Sequence, residues 1–333
     1  MSNTQNTTTF NLINRVIFLI AFVFCFLYFI GFTNQIIYAQ SDSTGNQPFI
    51  IVLGIAQDGG YPQAGCQKSC CKSAWENPEL QRYVSCLAIL DPVSQQRWII
   101  DATPDFKYQL RLLDQIYPVS KSPGISGIFI THAHIGHYTG LMNLGREVMG
   151  TKDIPVYTMP RLYKFLNHNG PWDQLIKLNN ISLQLMKADI RIELNERISI
   201  TPILVPHRDE YSETVGFVIQ GPKRSILYIS DIDKWERWDR SIEDYIKKAD
   251  IVFLDATFYD TNEIPNRNMS DIPHPFIVES MDRLQSLDAV EKSKIHFIHL
   301  NHTNPALKPD SNAQQKIIEN GFHVAEQGQI FDF

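Results

Sequence analysis

The sequence predicts an α+β fold in which two mixed β-sheets pack face to face and helices cover their outer faces. Three observations carry that expectation. Strand-like runs cluster, give way to helical periodicity, then cluster and give way a second time between residues 49 and 330. Some runs, such as FIIVLGIAQ at 49–57, are apolar at successive positions, as a strand buried on both faces must be. One apolar run after another also stops at or near a polar group with lone pairs: His132, His207, Asp231 and His299.

In chain order, the strand 49–57 ends at the glycine turn Asp58-Gly59-Gly60. The runs 86–90 and 97–100 read as a hairpin turning at Asp91-Pro92. Pro104 opens a helix to Ile116, with Phe106, Leu110, Leu113 and Ile116 at helical spacing. Ile125 to Thr131 reads as a short buried strand, 139–149 as a helix stopped by Gly150, and 154–158 as a strand. A helical stretch from 160 to 178 is interrupted near Gly170-Pro171, and strands follow at 190–194 and 198–205. A hairpin joins 215–219 to 225–229 across Gly221-Pro222. The helix 242–249 leads to the strand 251–254, which delivers Asp255, and 259–275 is a polar, proline-containing loop. A helix at 276–287, a strand at 295–300, a helix at 313–320 and short strands near Val324 and Ile330 complete the pattern.

The start of the chain is different in kind. Residues 1–15 carry one charged side chain, Arg15, and 16–32 is a continuous apolar and aromatic run broken only by Gly31. This predicts a signal peptide over 1–39, with Ala39 as the cleavage position, or a retained membrane anchor. Either reading exports the rest, to the periplasm or beyond the cell, with membrane contact only through 16–32 if the segment is uncleaved. A polar linker (40–47) then precedes one large domain, 48–333. With 44 % hydrophobic residues the chain can bury a sizeable core. A formal net charge of -6 and the lack of a long basic block give no reason to expect nucleic acid, so the expected partner is a small-molecule substrate. Sequence says nothing about oligomeric state.

His132 and His134 are two residues apart, which places both imidazoles on one side of an extended segment. With a third ligand they can bind one ion, and strand ends hold ligands rigidly while the loops beyond stay open to substrate. THAHIGH (131–137) resembles the HxHxDH motif of the metallo-β-lactamase fold family, an αββα sandwich whose hydrolases hold one or two metal ions at the sheet edge. AQDGGYPQAGC (56–66), THAHIGHYTGL (131–141), VPH (205–207), YISDID (228–233) and HLNHTNPAL (299–307) are similar to its coenzyme PQQ synthesis protein B branch.

The resemblance implies a three-histidine site of His132, His134 and His207, with Asp231 bridging to a second site that includes His137 and His299. It also exposes a departure. The family's aspartate is replaced by Gly136, which has no side-chain ligand. His302 is a candidate replacement. One or two divalent ions are expected, zinc foremost, with iron or manganese also suited to such a set. Asp231, His137 and His274 are the candidate catalytic side chains: Asp231 to bridge, His137 to orient substrate or shuttle a proton if it is not a ligand, His274 as a substrate-facing acid. Asp58 and Asp255 read either as supports for ligand histidines or as local caps. Cys66, Cys70, Cys71 and Cys86 read as a structural metal site, a disulfide or free thiols. The expected activity is hydrolysis of an ester, lactone or phosphodiester by metal-activated water. The alternatives are an iron-dependent oxygenase, suggested by the PQQ branch, and a non-catalytic metal-binding protein, suggested by Gly136.

Overall fold

The computed structural model describes residues 45–120, 122–264 and 268–333, without the side chain of Ser270. The segment expected to be a signal or anchor lies outside the described residues. Among those described, no helix is long and apolar enough to cross a membrane.

The first half of the chain forms β1 (Phe49–Gly54), α1 (Ser69–Glu76), β2 (Cys86–Asp91), β3 (Gln96–Ile100), α2 (Phe106–Ile116), β4 (Gly127–Phe129), α3 (Ile135–Tyr138), β5 (Ile154–Thr158), α4 (Pro160–His168), α5 (Trp172–Lys177) and β6 (Ile181–Leu185). The second half forms β7 (Ile192–Glu193), β8 (Ser199–Leu204), β9 (Val215–Gln220), β10 (Ser225–Ile229), α6 (Ile242–Lys248), β11 (Ile251–Asp255), α7 (Ile277–Arg283), α8 (Ala289–Ser293), β12 (Ile295–Ile298), α9 (Asn312–Glu319), β13 (His323–Val324) and β14 (Ile330–Asp332).

One sheet has the order β14-β1-β2-β3-β4-β5-β6 and the other β13-β12-β11-β10-β9-β8-β7. In the first, β14 through β3 pair antiparallel and β3 through β6 parallel. In the second, β7 through β10 pair antiparallel and β10 through β13 parallel. The two sheets therefore share one plan. By parity β1 and β3 run with β4, and β8 runs with β10, β11 and β12. Every strand that the sequence ends in a candidate ligand thus points it to the same end of its sheet.

The period of two along a strand explains why β1 is apolar throughout. Ile50 and Val52 join Leu87, Ile89, Trp98 and Phe129 in a core shared with Ile200, Phe217 and Ile219 of the other sheet. Ile51 and Leu53 face the opposite way, into a core closed by Phe106 and Leu113 of α2 and Leu162 and Leu166 of α4. The second sheet packs Ile242 and Ile246 of α6, Ile277 of α7 and Ile317 of α9 into the first core. The expected two-sheet sandwich is the observed one.

Several elements differ from expectation. The helix expected at 139–149 is a 3-10 segment, Thr139–Leu144, followed by turns. The Gly140 amide donates to the Ala102 carbonyl oxygen at 2.8 Å, across to another segment, and a Cβ at Gly140 would stand 2.8 Å from the Ala102 carbonyl carbon. Close docking there, which only glycine permits, breaks α periodicity. α1 was not anticipated: it is short and has no side-chain cap, so Cys71 and Ala74, buried in the core, hold it instead. β6 was missed because it is an edge strand whose half-buried positions blur the apolar pattern. The strand expected from Ile125 to Thr131 pairs only over β4, and the chain beyond is given to the histidines.

Candidate metal centre

His132 and His134 follow β4, His137 sits on α3, His207 follows β8, Asp231 follows β10 and His299 follows β12. The two sheets bring all six together. His132 Nε2 lies 2.8 Å from His134 Nδ1, and His134 Nδ1 lies 3.2 Å from His207 Nε2. Asp231 stands between two groups of nitrogens. It is 3.3 Å from His132 Nε2 and 3.4 Å from His207 Nε2 on one side, and 3.8 Å from His137 Nε2 and 4.0 Å from His299 Nε2 on the other. Asp58 faces the second group, with Oδ1 3.2 Å from His137 Nε2 and 3.8 Å from His299 Nε2. Ligand atoms about 2.1 Å from a tetrahedral ion lie roughly 3.4 Å from one another, so these separations fit cation binding. Two clusters of metal-ligand type result: His132, His134, His207 and Asp231; and Asp58, His137 and His299, with Asp231 at the boundary.

Each ligand-type nitrogen is left bare because the other ring nitrogen is engaged. The Thr131 hydroxyl donates to Asp101 at 3.0 Å, so it accepts from His132 Nδ1, also at 3.0 Å, and His132 Nε2 carries the lone pair. The Thr257 hydroxyl donates to Asp255 at 2.7 Å and accepts from His299 Nδ1 at 3.0 Å, a matching arrangement on the second sheet. His137 Nδ1 donates to Asp101 at 2.7 Å, His207 Nδ1 to Asp233 at 3.2 Å, and His134 Nε2 to Glu210 at 3.0 Å. Asp101 and His299 both have left-handed backbone, with φ of 69° and 68°, a conformation that non-glycine residues rarely hold and that clusters at functional sites.

Charge follows the same logic. Burial, with neighbouring imidazoles, holds His132 and His134 below the ordinary imidazole pKa, so both are neutral and able to ligate. For Asp231, burial works against ionisation but His207, His274 and His299 outweigh it, and the carboxylate is held well below its usual range. Asp58 is also driven down: burial opposes this, and His137 and His299 prevail. Four buried atoms of the centre have no hydrogen-bond partner: Asp58 Oδ1, His137 Nε2, Asp231 Oδ1 and His299 Nε2. Orphaned donors and acceptors that converge on one space are costly unless something binds there, and a divalent cation satisfies this set.

The remaining candidates fall elsewhere. His274 is buried, and its Nδ1 lies 2.8 Å from Asp255 and 3.2 Å from Asp231. Burial pulls its pKa down, but those two carboxylates lift it to about 9. Its Nδ1 donates to Asp255 at 2.8 Å, and its charge beside Asp231 helps keep that carboxylate ionised. Asp255 is saturated by Ile232 N, Thr257 and His274, so it both supports the centre and caps its own turn. His302 does not replace the missing ligand: it joins Cys66, Cys70 and Cys71 in a separate cluster. Cys66 and Cys70 sulfurs are 3.6 Å apart, far beyond a disulfide bond and near the spacing of two thiolates on one ion; all four described cysteines are free. Cys86 lies outside that cluster, buried against the Asp101 carbonyl oxygen at 3.5 Å. Asp101 and Asp233 were not anticipated. The available signal was like the one already read at Asp255, an aspartate at the end of an apolar strand (Asp101) or a few residues beyond it (Asp233). A cavity of about 760 Å³, lined in part by Tyr117, Ile125, Met149 and Ile154, opens at the opposite, N-terminal ends of β4 and β5, and among the described residues that line it there is no histidine, cysteine or acidic side chain. The chemistry lies at the other end.

Comparison with known proteins agrees with this fold. The chain is 24 % identical over 305 residues to coenzyme PQQ synthesis protein B of Methylorubrum extorquens (strain PA1), covering 85 % of this chain and 99 % of that one. The crystal structure of zinc-bound PqqB from Methylobacterium extorquens superposes with a TM-score of 0.72 at 22 % identity, over 86 % of this chain and all (100 %) of that one. A diphosphatase from the PhnP family superposes with a TM-score of 0.60 at 20 % identity, over 86 % and 97 %. Residues 96–300 match the family model described as the β-lactamase superfamily domain, and the chain belongs to that family, with its metallo-β-lactamase fold.

Proposed function

We propose that the protein is a metal-dependent hydrolase acting on an ester, lactone or phosphodiester bond of a small molecule. The observation that carries this reading is the convergence of five imidazoles and Asp231, each ligand nitrogen bared by a partner on the opposite side of its ring. Divalent ions held there would supply Lewis acidity, polarising a substrate oxygen and making a water nucleophilic near neutral pH.

The chain's own residues do the rest. Asp231, ionised and flanked by His132, His207, His137 and His299, keeps the two clusters in register. Asp233 fixes the His207 ring and is itself held by Arg237 at 2.8 Å. Glu210, exposed, and His134, partly exposed, open one side of the three-histidine cluster to substrate. The exposed Ile135 and Tyr211 beside them give the entrance an apolar rim, which favours a substrate with an apolar portion. The family includes hydrolases, among them the PhnP-type diphosphatase. Three thiols and His302 make a closed Cys₃His set suited to a structural zinc, distinct from the open centre. The apolar run at 16–32 supports export of the domain to the periplasm or its tethering there.

Similarity to PQQ synthesis protein B supports a second reading, an iron-dependent oxygenase. One experiment separates the two. Metal-stripped protein reloaded with zinc or with ferrous iron is screened against phosphodiesters, lactones and esters, with oxygen consumption followed in parallel. The proposal expects turnover with zinc, lost in the His132→Ala, His134→Ala double variant. Oxygen uptake with iron alone, and no hydrolysis with either ion, would overturn it.

A further inference from the structure

We propose that Asp58 supplies the carboxylate of the second cation half-site, reaching from the β1 loop into the space that Gly136 leaves open. The proposal rests on reading the centre as a divalent-cation site and adds a ligand to it. The half-site is otherwise His137 and His299, with Asp231 shared, and two imidazole ligands hold a divalent ion weakly without a carboxylate of their own.

Three independent features point to Asp58. Its Oδ1, the His137 Nε2 and the His299 Nε2 face one another, are buried, and have no hydrogen-bond partner. The carboxylate has no competing local duty, because the turn it sits in is closed by backbone: Gly60 N donates to the Gln57 carbonyl oxygen at 2.7 Å. Finally, the β1 loop crosses α3 so closely that a Cβ on residue 136 would stand 2.6 Å from the Asp58 Cα and 2.8 Å from its Cγ, and nearer still to Oδ1. No side chain fits at 136 while Asp58 is in place. The departure THAHIGH and the aspartate of AQDGG are therefore two halves of one exchange. The carboxylate absent from α3 arrives from β1, the strand that runs with β3 and β4 and ends at the same edge.

The test uses the full chain loaded with zinc, and anomalous scattering at the zinc edge resolves the half-sites. Wild type is expected to show one peak among His132, His134 and His207, and another among His137, His299 and Asp231, with an Asp58 oxygen about 2.1 Å from the second. Asp58→Ala is expected to lower occupancy of the second peak at least ten-fold at the same ion excess and to leave the first. Asp58→Asn keeps the shape without the charge, and is expected to weaken the second peak to a lesser degree. Gly136→Ala, which displaces the Asp58 carboxylate, should do what Asp58→Ala does. A second peak at full occupancy in Asp58→Ala, or one in wild type with Asp58 turned away, overturns the proposal and leaves the hydrolase reading intact. So does a wild type with the first peak alone. Absence of both peaks in wild type overturns the proposal and the metal centre together. If Asp58→Ala does not fold, the wild-type distance and Asp58→Asn still decide.

Discussion

An imidazole ligates only through a bare nitrogen, and here hydroxyls and carboxylates decide which nitrogen that is. Asp101 does most in this respect, since it accepts from His137 Nδ1 and, through Thr131, sets the His132 tautomer. Asp101→Asn presents a donor where the network needs an acceptor. The expected outcome is a 10–100-fold loss of affinity for the ion at His137, read by competition with a chelator, with secondary structure unchanged by circular dichroism. An unaltered affinity would mean that His137 needs no orienting partner. The histidines themselves were legible because their spacing, and their places at the ends of apolar runs, are rare for loop residues. Asp101 and Asp233 were not, because an aspartate at a strand end, or in the turn just beyond one, has a plain local use in capping. Only the folded geometry shows whose nitrogen it faces.

At the scale of elements, two short segments invite measurement. β12 and β13 pair so that His296 and His323 face each other, their rings stacked at 5.1 Å. Burial, with His323 beside it, lowers the His296 pKa to about 4. The unfolded chain therefore takes up a proton between its ordinary pKa, about 6.5, and pH 4 that the folded protein refuses. Stability from this group is fully present above pH 6.5 and falls as pH drops toward 4. By pH 5 the loss is on the order of 2 kcal/mol. Urea unfolding at pH 7 and pH 5 should show this difference in wild type and a smaller one in His296→Phe. Equal pH sensitivity would remove His296 as the cause.

The β1–α1 segment carries Asp58 at one end and the thiol cluster at the other. Tyr61 OH donates to the Cys70 carbonyl oxygen at 2.8 Å and Trp75 Nε1 to that of Cys66 at 2.8 Å. Cys66→Ser with Cys71→Ser is expected to bind one zinc fewer per chain and to lower the melting temperature, while the three-histidine cluster keeps its ion. An unchanged zinc content would leave that Cys₃His set without a metal. Helix α1 was itself hard to see, since its eight residues hold only two fully buried side chains. The 3-10 segment after α3 shows the opposite failure. Its residues suit a helix, and close docking of Gly140 on the chain after β3 prevents one.

Over the whole molecule, the legible part was the part that repeats. Apolar strands written twice over, each half running antiparallel and then parallel, gave away the sandwich, and ligands at their ends gave away the edge where the sheets meet. Contacts between those distant ends were not legible, since nothing in AQDGG or HLNHTNPAL states that Asp58 meets Gly136 or that His302 meets Cys66. The central claim is that side chains at the strand ends of both sheets hold a divalent ion. Its most direct test is the zinc content of metal-replete protein after removal of free ion, for wild type and for the His132→Ala, His134→Ala double variant. The account predicts at least one zinc fewer per chain in the variant at equal foldedness. Equal zinc in the two proteins, or none in either, would contradict it.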